Sequence, residues 1–590
     1  MRKSRVALTV LSALLITILT AGFLPVSAQT TTTASEVSVD SPSGLTPRNH
    51  QNEPAVAVDA HNPNILVAGS NDYIDQPPCP RELAQQAGTC DAFTARVGLS
   101  GVYFSFDRGR HWMQPTYSGW TARDCSPTTT ECPGHLGPIG TLPWYFESNL
   151  ISDGDPAVTI GPRPVNGRFS WANGSRVYYA NLTAAFNPAT SPFRGQEAVA
   201  VSRLDNPTPE RVARKSSWMR PVIATTRGGT TAFADKEQIW ADNASSSRFF
   251  GRVYICSPQF RSPNFVAAPL MMAVSRNGGS TWSVRQVSRA ANIGAVHWGQ
   301  SGCTVRTDSR GVVYVMYEEF QNPAHVGLPT HGAHMLIKSF DGGVHWTRPR
   351  LLFRVTDPCF FIDPVYGRCV MDGYAGARTD LSAAPSIDIA NGAPTGAGAT
   401  NLIVDAWSDA SAGLNHEHTL LTWSRNGGTT WSRTRVVSAA GDRPLYSAPA
   451  VSPTGNRVYV VYEAVRSPWR GTNMSLPRPY HGVFRSAAFG AGGPSGWTTL
   501  YNGPLGDLRG TYPGHDIYQE RVGDYVYAAA SRTYGVGVWT DARNAAVCQA
   551  VQQYRQASLA AGELALPAPW PLADCPAGFG NTDIWSATTG

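Results

Sequence analysis

The sequence predicts an all-β protein built from repeated antiparallel units, and three observations support this prediction. The first is composition: 57 glycines, 44 prolines, 17 tryptophans and 22 tyrosines in 590 residues are typical of many short strands joined by turns. The second is an eight-residue phrase that occurs four times with constant spacing, as SFDRGRHW, SRNGGSTW, SFDGGVHW and SRNGGTTW. The third is a pair of strand-like runs that recurs seven times along the chain.

The repeated phrase fits the pattern Ser-x-(Asp/Asn)-x-Gly-x-x-Trp, and its chemistry predicts a tight turn between two strands. The alternating run HMLIKSFD, for example, leads into the copy at Asp341 as a strand would. The Asp or Asn side chain can accept hydrogen bonds from N–H groups in the turn, and the glycine permits a positive φ. The tryptophan begins the return strand and can cover the turn with its ring. The residues at these positions are Asp107, Gly109, Trp112, Asn277, Gly279, Trp282, Asp341, Gly343, Trp346, Asn426, Gly428 and Trp431.

These four phrases resemble the Asp box of the sialidase-like β-propellers, also called bacterial neuraminidase repeat proteins. The resemblance covers essentially residues 50–590. Outside the boxes it is strongest in NEPAVAV, DKEQIWADN, GRVYI and GVGVWTDARN, which resemble exported bacterial proteins of the exo-α-sialidase-like kind. It implies a ring of antiparallel blades with the boxes on the face opposite the ligand site. The boxes therefore identify an architecture without identifying a chemistry.

The number of repeated units predicts seven blades. Each unit would supply the inner, second, third and outer strands of one blade, with the box joining the third strand to the outer one. Units two and six lack the box. Sialidases of the family have six blades, and that remains the alternative. The opening runs of the seven units begin at Glu53, Asp155, Asp235, Gly302, Ala384, Ser447 and Gly523.

The two ends of the chain suggest how the ring closes and how the protein is organised. The last unit lacks an outer strand after TDIWSA, and the N-terminal segment SEVSVD, residues 35–40, can supply it. Closure of this kind leaves no long exposed sheet edge. We therefore expect an N-terminal segment over 29–50 with a ring-closing strand, followed by a single propeller over 51–590 with long disulfide-stapled loops.

Residues 1–28 are typical of a secretory signal peptide. Arg2, Lys3 and Arg5 precede a long apolar run, and VSA, ending at Ala28, is a small-residue cleavage site. Cleavage predicts a secreted, extracellular protein without a membrane span, and an uncleaved anchor is the alternative. Removing these three basic residues from 48 leaves 45 Lys and Arg against 42 Asp and Glu. A formal charge of +3 on this many residues gives no indication of nucleic-acid binding.

Ten cysteines suit a protein exported to an oxidising compartment. Three pairs are close in sequence and are interpreted as loop staples, because no CxxC motif suggests zinc or redox chemistry. Pairing of Cys256 with Cys303 would instead join two successive repeats, although spacing alone leaves the connectivity open. The three close pairs are Cys79 with Cys90, Cys125 with Cys132, and Cys359 with Cys369; Cys548 and Cys575 complete the set.

Five long insertions interrupt the repeats, and we expect them to wall a cleft over one end of the propeller. Their aromatic residues can stack on sugar faces or pack on the body of the protein. The insertions are 74–100, 114–150, 323–333, 354–382 and 541–580, and the aromatic residues are Trp120, Trp144, Tyr145, Phe360, Phe361 and Tyr366.

The resemblance implies a sialidase site, with three arginines on the sugar carboxylate, a Tyr nucleophile polarised by Glu, and an Asp as acid/base. The family signature for the first arginine, Arg-Ile-Pro, is absent. The corresponding stretch reads RNHQNEPAV, in which Ile-Pro does not follow Arg48. The arginine triad is therefore not carried over. Other arginines that can still converge are Arg306, Arg378, Arg521 and Arg543.

A polar residue recurs at the start of successive inner strands, and these starts gather round one mouth of a propeller's channel. Glu53 and Asp155 are the candidate catalytic acid and base. Alternatively, the same groups satisfy one another and hold water or a structural Ca²⁺ ion; no other cofactor is expected. The further candidates for ligand contact at the mouth are Asp235, Lys236, Glu237, Gln300, Asp524 and Tyr525.

Two functions follow for a protein expected to be monomeric and to meet an extracellular glycan or glycoprotein. As an enzyme it would be a glycoside hydrolase, sialidase-like by resemblance alone. As a binding module it would recognise a glycan or protein at the same face without chemistry. A structural envelope protein with a closed mouth is a third class.

Overall fold

The computed structural model confirms the seven-bladed β-propeller. The blades follow one another in chain order, and each is an antiparallel sheet whose inner strand lies on the central channel. Among the described residues, no helix is long and apolar enough to cross a membrane. The predicted signal peptide lies outside the described residues, which are 32–90, 96–126, 132–225, 232–261, 268–290, 298–321, 327–371, 378–379, 381–519 and 521–590.

Blades 1 to 4 contain, from the inside outwards, the following strands. Blade 1 has Gln51–Val58, Leu66–Asp72 and Ser100–Ser105, with a single bridge from Phe104 to Met113 beyond them. Blade 2 has Ala157–Pro162, Ser175–Ala185, Ala198–Asp205 and Trp218–Ile223, and Leu150–Ser152 also pairs with the second strand. Blade 3 has Gln238–Ala241, Val253–Phe260, Leu270–Ser275 and Ser283–Gln286, and Phe233–Ala234 pairs with the second strand. Blade 4 has Trp298–Thr307, Val313–Gln321, His331–Ser339 and Arg350–Thr356.

Blades 5 to 7 follow the same plan. Blade 5 has Ser386–Ile389, Ile403–Asp409, His418–Ser424 and Arg435–Val436. Blade 6 has Arg443–Val451, Arg457–Val465, Pro479–Gly490 and Gly493–Asn502, and Gly506–Asp507 pairs with the third strand. Blade 7 has Tyr527–Ala530, Gly535–Asp541, Asp583–Thr588 and, as its outer strand, Thr33–Glu36.

Short elements outside the blades occupy the connections. Three hairpins pair Tyr117–Thr121 with His135–Ile139, Pro164–Val165 with Arg168–Phe169, and Phe361–Ile362 with Cys369–Val370. The α-helices are Arg81–Ala87, Pro209–Val212, Gln549–Ala561 and Pro571–Asp574. The 3₁₀ turns are Phe146–Ser148, Trp171–Asn173, Pro188–Thr190, Lys215–Ser217 and Leu508–Gly510.

The ring is closed by the N-terminal segment, which forms the outer strand of blade 7. Ser35 lies opposite Ser586 and Glu36 opposite Trp585 in an antiparallel register. The strand begins two residues before the predicted segment 35–40 and ends within it, and one further backbone bond, from Val37 N–H to the Ile584 carbonyl at 2.7 Å, continues the pairing. Blade 7 therefore unites the two ends of the described chain.

The four repeated phrases form the turns between third and outer positions of blades 1, 3, 4 and 5. In the blade 4 copy, Asp341 Oδ1 accepts hydrogen bonds from the N–H groups of Val344, at 3.0 Å, and His345, at 2.9 Å. Gly343 has a φ of +88°. The serine has a role that the sequence did not reveal, because Ser339 Oγ accepts the Gly343 N–H at 2.8 Å. The same Gly-to-Ser bond joins Gly109 to Ser105, Gly279 to Ser275 and Gly428 to Ser424, at 2.8, 2.8 and 2.9 Å respectively.

All ten cysteines are paired in five disulfides. Cys79–Cys90, Cys125–Cys132 and Cys359–Cys369 close short loops. Cys256–Cys303 connects the second strand of blade 3 to the inner strand of blade 4, so it links successive blades. Cys548–Cys575 anchors the start of the longest helix to the C-terminal segment.

We expect Ser339→Ala to destabilise the protein by about 1–3 kcal/mol, because the Gly343 N–H then loses its acceptor inside a buried turn. Thermal denaturation of the variant and the wild type measures the difference. Ser411→Ala, at an exposed turn position, is the matched control and should unfold like the wild type. Identical melting of the two variants would show that the serine bond adds nothing.

Candidate functional site

Near the starts of three successive inner strands, a non-glycine residue adopts the left-handed backbone region. Glu53, Asp155 and Lys236 have φ values of +55°, +49° and +50°. Gly302 has the same conformation, at +58°, where the register shifts within the inner strand of blade 4. Such residues are uncommon and each costs on the order of 1–3 kcal/mol, so they persist where the surroundings hold them. Here the three side chains meet at one mouth of the channel.

The Lys236 ammonium group is the centre of this meeting point. Its Nζ lies 2.7 Å from Asp155 Oδ2, 3.0 Å from Asp524 Oδ2, 3.7 Å from Asp235 Oδ1 and 3.8 Å from Glu53 Oε2. Burial alone would lower the pKa of Lys236, but the carboxylates, Asp155 foremost, raise it well above its ordinary value. The lysine is therefore a permanent cation that holds four acidic groups from four blades together.

Asp524 is the carboxylate on which the cations converge. Arg378 forms a two-pronged contact with it, with Nε at 2.9 Å from Oδ1 and Nη2 bonded to Oδ2, and Arg521 Nη2 lies 3.5 Å away. Burial would raise the pKa of Asp524, but Arg378, Lys236 and Arg521 hold it well below its usual range. Two arginines and one lysine thus surround one protein carboxylate.

The other two arginines that were considered for convergence lie elsewhere. Arg306 is inside the channel, where its Nη1 donates to Gln238 Oε1 at 2.7 Å. Arg543 forms an ion pair with Asp541 and its guanidinium lies 3.5 Å from the ring centre of Trp585. These four residues therefore do not form an arginine triad.

Glu53 is fully buried beside the cluster. Its Oε1 accepts a hydrogen bond from Arg521 Nη2 at 2.6 Å, and its Oε2 accepts one from Asn71 Nδ2 at 3.1 Å. Burial and the nearby Asp155 raise its pKa to about 7, against the pull of Lys236 and Arg521. Because both carboxylates contact Lys236, their nearest oxygens are no more than about 6.5 Å apart.

A cavity of about 970 Å³ opens above the cluster. Four of the residues predicted at the mouth line it, namely Asp155, Asp235, Lys236 and Asp524. The insertions 323–333 and 354–382 contribute wall residues that include Thr330 and Cys369, and the segment before blade 7, which was not recognised as an insertion, contributes Pro513, His515 and Arg521.

Glu197 is a cavity residue that the sequence analysis missed. It precedes the third strand of blade 2 and bridges to Phe233, which places it next to Asp235. Burial, Asp153, Asp235 and Asp155 raise its pKa well above the ordinary value, which favours the protonated form of its carboxyl group. The sequence EAVAV at Glu197 resembles EPAVAV at Glu53, and this similarity is the sequence pattern that could have predicted Glu197 as a mouth residue.

The remaining mouth candidates lie below or beside the cavity. Glu237 and Tyr525 line a smaller chamber of about 60 Å³ beneath Lys236, and burial and Asp155 raise the pKa of Glu237 well above its ordinary value. Gln300 lies outside the cavity wall and is bonded to Ser288. Within the described part of the chain, no group of three or more His, Cys, Asp or Glu side chains is arranged to hold a metal, so the suggested Ca²⁺ stays a prediction.

Three of the loop aromatics predicted as possible sugar platforms, Trp120, Trp144 and Tyr366, pack on other side chains of the protein. Trp120 stacks on Phe146 with ring centres 5.0 Å apart. Trp144 lies against the Lys215 ammonium group at 4.6 Å. The aromatic rings on the cavity wall are instead Phe233 and Phe260, stacked 4.8 Å apart, together with Tyr73 and Phe320.

Comparison with known proteins finds similarity at a low level. No protein-family model matches the chain, and no curated protein matches it. Solved structures that resemble it include sialidases and other glycan-active enzymes. A Hadza microbial sialidase is 14% identical with a TM-score of 0.39, over 70% of this chain and 63%, less than two thirds, of that one. An intramolecular trans-sialidase from Ruminococcus gnavus is 10% identical with a TM-score of 0.38, over 72% and 92%. An α-L-arabinofuranosidase from Fusarium graminearum is 13% identical with a TM-score of 0.31, over 52% and 74%. Similarity at this level carries no argument about activity.

Glu53→Gln should make stability less dependent on pH. The folded-state pKa of about 7 exceeds the unfolded value, so the wild type binds this proton more tightly when folded and loses that stabilisation as pH rises towards and through 7. We expect the variant to gain about 1–3 kcal/mol on the wild type between pH 5 and 8, at up to about 1.4 kcal/mol per pH unit.

Thermal melting at several pH values measures this difference, since carboxyl groups outside the cluster are unchanged between the two proteins. Glu82→Gln, on the exposed face of the first helix, is the control and should run parallel to the wild type. A parallel curve for Glu53→Gln would show that Glu53 is ionised throughout the range.

Proposed function

We propose that the protein is a secreted glycoside hydrolase that acts on extracellular glycans in the mouth cavity. One observation carries this proposal: two carboxyl groups on the same cavity wall have opposite electrostatic surroundings. Burial and the carboxylates of Asp153, Asp235 and Asp155 raise the pKa of Glu197 well above its ordinary value, whereas Asp155 is ion-paired with Lys236 at 2.7 Å. Surroundings that differ in this way favour an acid role for the first group and a base or nucleophile role for the second.

Hydrolysis of a glycosidic bond uses an acid and a base or nucleophile. Glu197 would donate its proton to the glycosidic oxygen as the bond to the anomeric carbon breaks. Asp155 would act on the opposite side, either by attacking the anomeric carbon or by taking a proton from the water that attacks it. Water supplies the hydroxyl group of the freed sugar, and the second product leaves as an alcohol.

The neighbouring residues would position these two groups. Lys236 fixes Asp155 and is itself fixed by Asp524, which Arg378 holds. The stacked rings of Phe233 and Phe260 present an apolar wall in the same cavity, of the kind on which the carbon face of a sugar packs. Glu53 belongs to the supporting layer, since it is fully buried and bonded to Asn71 and Arg521.

The electrostatics of the cavity favour neutral glycosides over sialosides. A sugar carboxylate binds to arginines whose donors are directed at it. At this mouth, however, Arg378 is engaged by Asp524 and Arg521 by Glu53. An acidic sugar would have to displace a protein carboxylate at each of them.

A non-catalytic glycan-binding propeller is the second candidate, and one observation favours it. Each cation of the cluster already has a carboxylate partner, as expected where polar groups at a channel mouth serve structure alone. Such a protein would bind glycans in the same cavity and leave them intact.

Fluorogenic glycosides of neutral sugars and an α-sialoside test the proposal. We expect turnover of at least one neutral glycoside, and a loss in Glu197→Gln of about 10²- to 10⁴-fold in kcat, the usual contribution of a general acid. The loss should be far smaller for dinitrophenyl glycosides, whose leaving group needs no proton. Asp155→Asn should lose activity for both kinds of substrate.

Glu82→Gln makes the same chemical change on the surface and should retain full activity. Melting temperatures for all three variants separate loss of chemistry from loss of fold. Glycan binding without turnover would establish the binding propeller. Turnover that survives in Glu197→Gln for every leaving group would remove this residue from the acid role.

A further inference from the structure

Below the mouth, a layer of polar side chains spans the channel. Gln238 from blade 3 accepts a hydrogen bond from Arg306 Nη1 of blade 4 at 2.7 Å and donates to the Tyr527 hydroxyl of blade 7 at 3.1 Å. Arg306 Nε lies 3.4 Å from Asp388 Oδ1 of blade 5, and Asp388 Oδ2 accepts the Val451 N–H of blade 6 at 2.8 Å. This layer, which we call the polar plate, links five of the seven inner strands.

The opposite end of the channel is covered by a loop of blade 5, residues 390–399. Arg532 of blade 7 reaches across to it and donates to the carbonyls of Ala393, at 3.0 Å, and Ala397, at 2.8 Å. On the other side, the Pro394 carbonyl accepts bonds from Trp171 Nε1 at 3.1 Å and from the Ser245 N–H at 2.8 Å. The loop is thus fastened to blades on several sides of the channel.

Between the polar plate and this loop lies a chamber of about 310 Å³. Its wall is mostly hydrocarbon, from side chains that include Val56, Val158, Ile239, Ile389 and Val451. Polar groups line both ends: the plate, where the Arg306 guanidinium lies 4.6 Å from the ring centre of Trp240, and the loop end, where Asn243, Asn391 and Arg532 contribute to the wall. The chamber therefore has an apolar body between two polar ends, and the plate is the end that carries both a positive and a negative group.

We propose that this chamber binds a small, uncharged apolar molecule that carries one hydroxyl or amide group. Water along the apolar body of the chamber lacks hydrogen-bond partners, whereas a hydrocarbon chain gains by leaving water. Arg306 and Asp388 offer one positive and one negative partner side by side. A hydroxyl group can accept from the first and donate to the second, whereas a charged group would face a like charge in a buried place. This site is separate from the mouth cavity and does not rest on the function proposed there.

Binding of straight-chain alcohols by isothermal titration calorimetry tests the proposal. From butan-1-ol to octan-1-ol, the affinity should rise about fourfold for each added methylene group, the value expected for burial of one such group, and should stop rising once the chain fills the chamber. Octanoate and octylammonium should each bind at least tenfold more weakly than octan-1-ol, because each brings a charge of one sign to the plate.

Variants that fill the chamber test whether the alcohol binds inside it. Ala529 and Val58 line the wall, so Ala529→Leu and Val58→Leu should each weaken octan-1-ol binding at least tenfold. Ala557→Leu makes the same change as the first on the exposed face of a helix and should bind like the wild type. Because two different residues are substituted, the test remains valid if one of the two variants disturbs the fold.

Three outcomes would overturn the proposal: the wild type binds no alcohol, both filled variants bind octan-1-ol as tightly as the wild type does, or either charged analogue binds more tightly than octan-1-ol. Absence of alcohol binding would mean that the chamber holds water alone. Unchanged binding in the filled variants would locate the alcohol elsewhere on the protein. Tighter binding of a charged analogue would show that the charges lining the chamber attract an ion of one sign.

Discussion

The mouth of the propeller depends on the pairing of the first described strand with the last. Thr33–Glu36 supplies the outer strand of blade 7 against Asp583–Thr588, and without it that blade would end in an open edge. Closure fixes the spacing of all seven inner strands at once. It brings Arg521 within 2.6 Å of Glu53, a contact across 468 residues of sequence. The site is therefore a property of the closed ring, and no single blade contains it.

Within the closed ring, the contacts among the charged residues at the mouth offset the free-energy costs of backbone strain and of buried charge, which would be prohibitive for each residue alone. The side chain of Lys236 is only 13% exposed, and the residue has a positive φ just before its strand; Glu53 and Asp155 share that strain. An isolated buried charge is strongly unfavourable, but alternating signs at 2.6–3.0 Å compensate one another. Removing one member would leave its partners uncompensated. The same cluster raises the pKa of Glu197 on the wall, because the nearby carboxylates of Asp155 and Asp235 are themselves held in place by Lys236.

Local patterns predicted most of the fold, because a propeller repeats one supersecondary unit. The Asp–Gly–Trp spacing at Asp341, Gly343 and Trp346 specified a turn, and the seven strand pairs specified the number of blades. The role of Ser339 escaped notice, since its bond to Gly343 depends on the turn's three-dimensional shape. Periodicity also indicated where the last blade finds its missing strand, although the strand begins two residues earlier than predicted.

The candidate site was less predictable, for a physical reason. Polar residues at the starts of inner strands pointed to Asp155, Asp235, Lys236 and Asp524, and these do line one cavity. The sequence identified candidate arginines but could not show which of them lie at the mouth. Arg306 and Arg378 differ in their depth along the channel, and that depth depends on how the blades pack in the ring. Glu197 was missed because it begins a third strand, and only the β-bridge to Phe233 carries it to the mouth. Contacts between blades, which no local pattern encodes, decide all of these cases.

The channel-facing polar residues also satisfy a requirement of the ring itself. Each inner strand has one edge without a neighbouring strand, so its N–H groups need acceptors. Side chains from the preceding blade provide them: Thr159 of blade 2 accepts the Ala241 N–H of blade 3 at 3.2 Å, and Gln238 of blade 3 accepts the Val305 N–H of blade 4 at 2.9 Å. Asp388 of blade 5 does the same for Val451 of blade 6. A polar residue in the channel is therefore expected whether or not the protein has a ligand. The groups that call for a functional explanation are those such as Glu197, which lines the cavity wall among other carboxylates that raise its pKa.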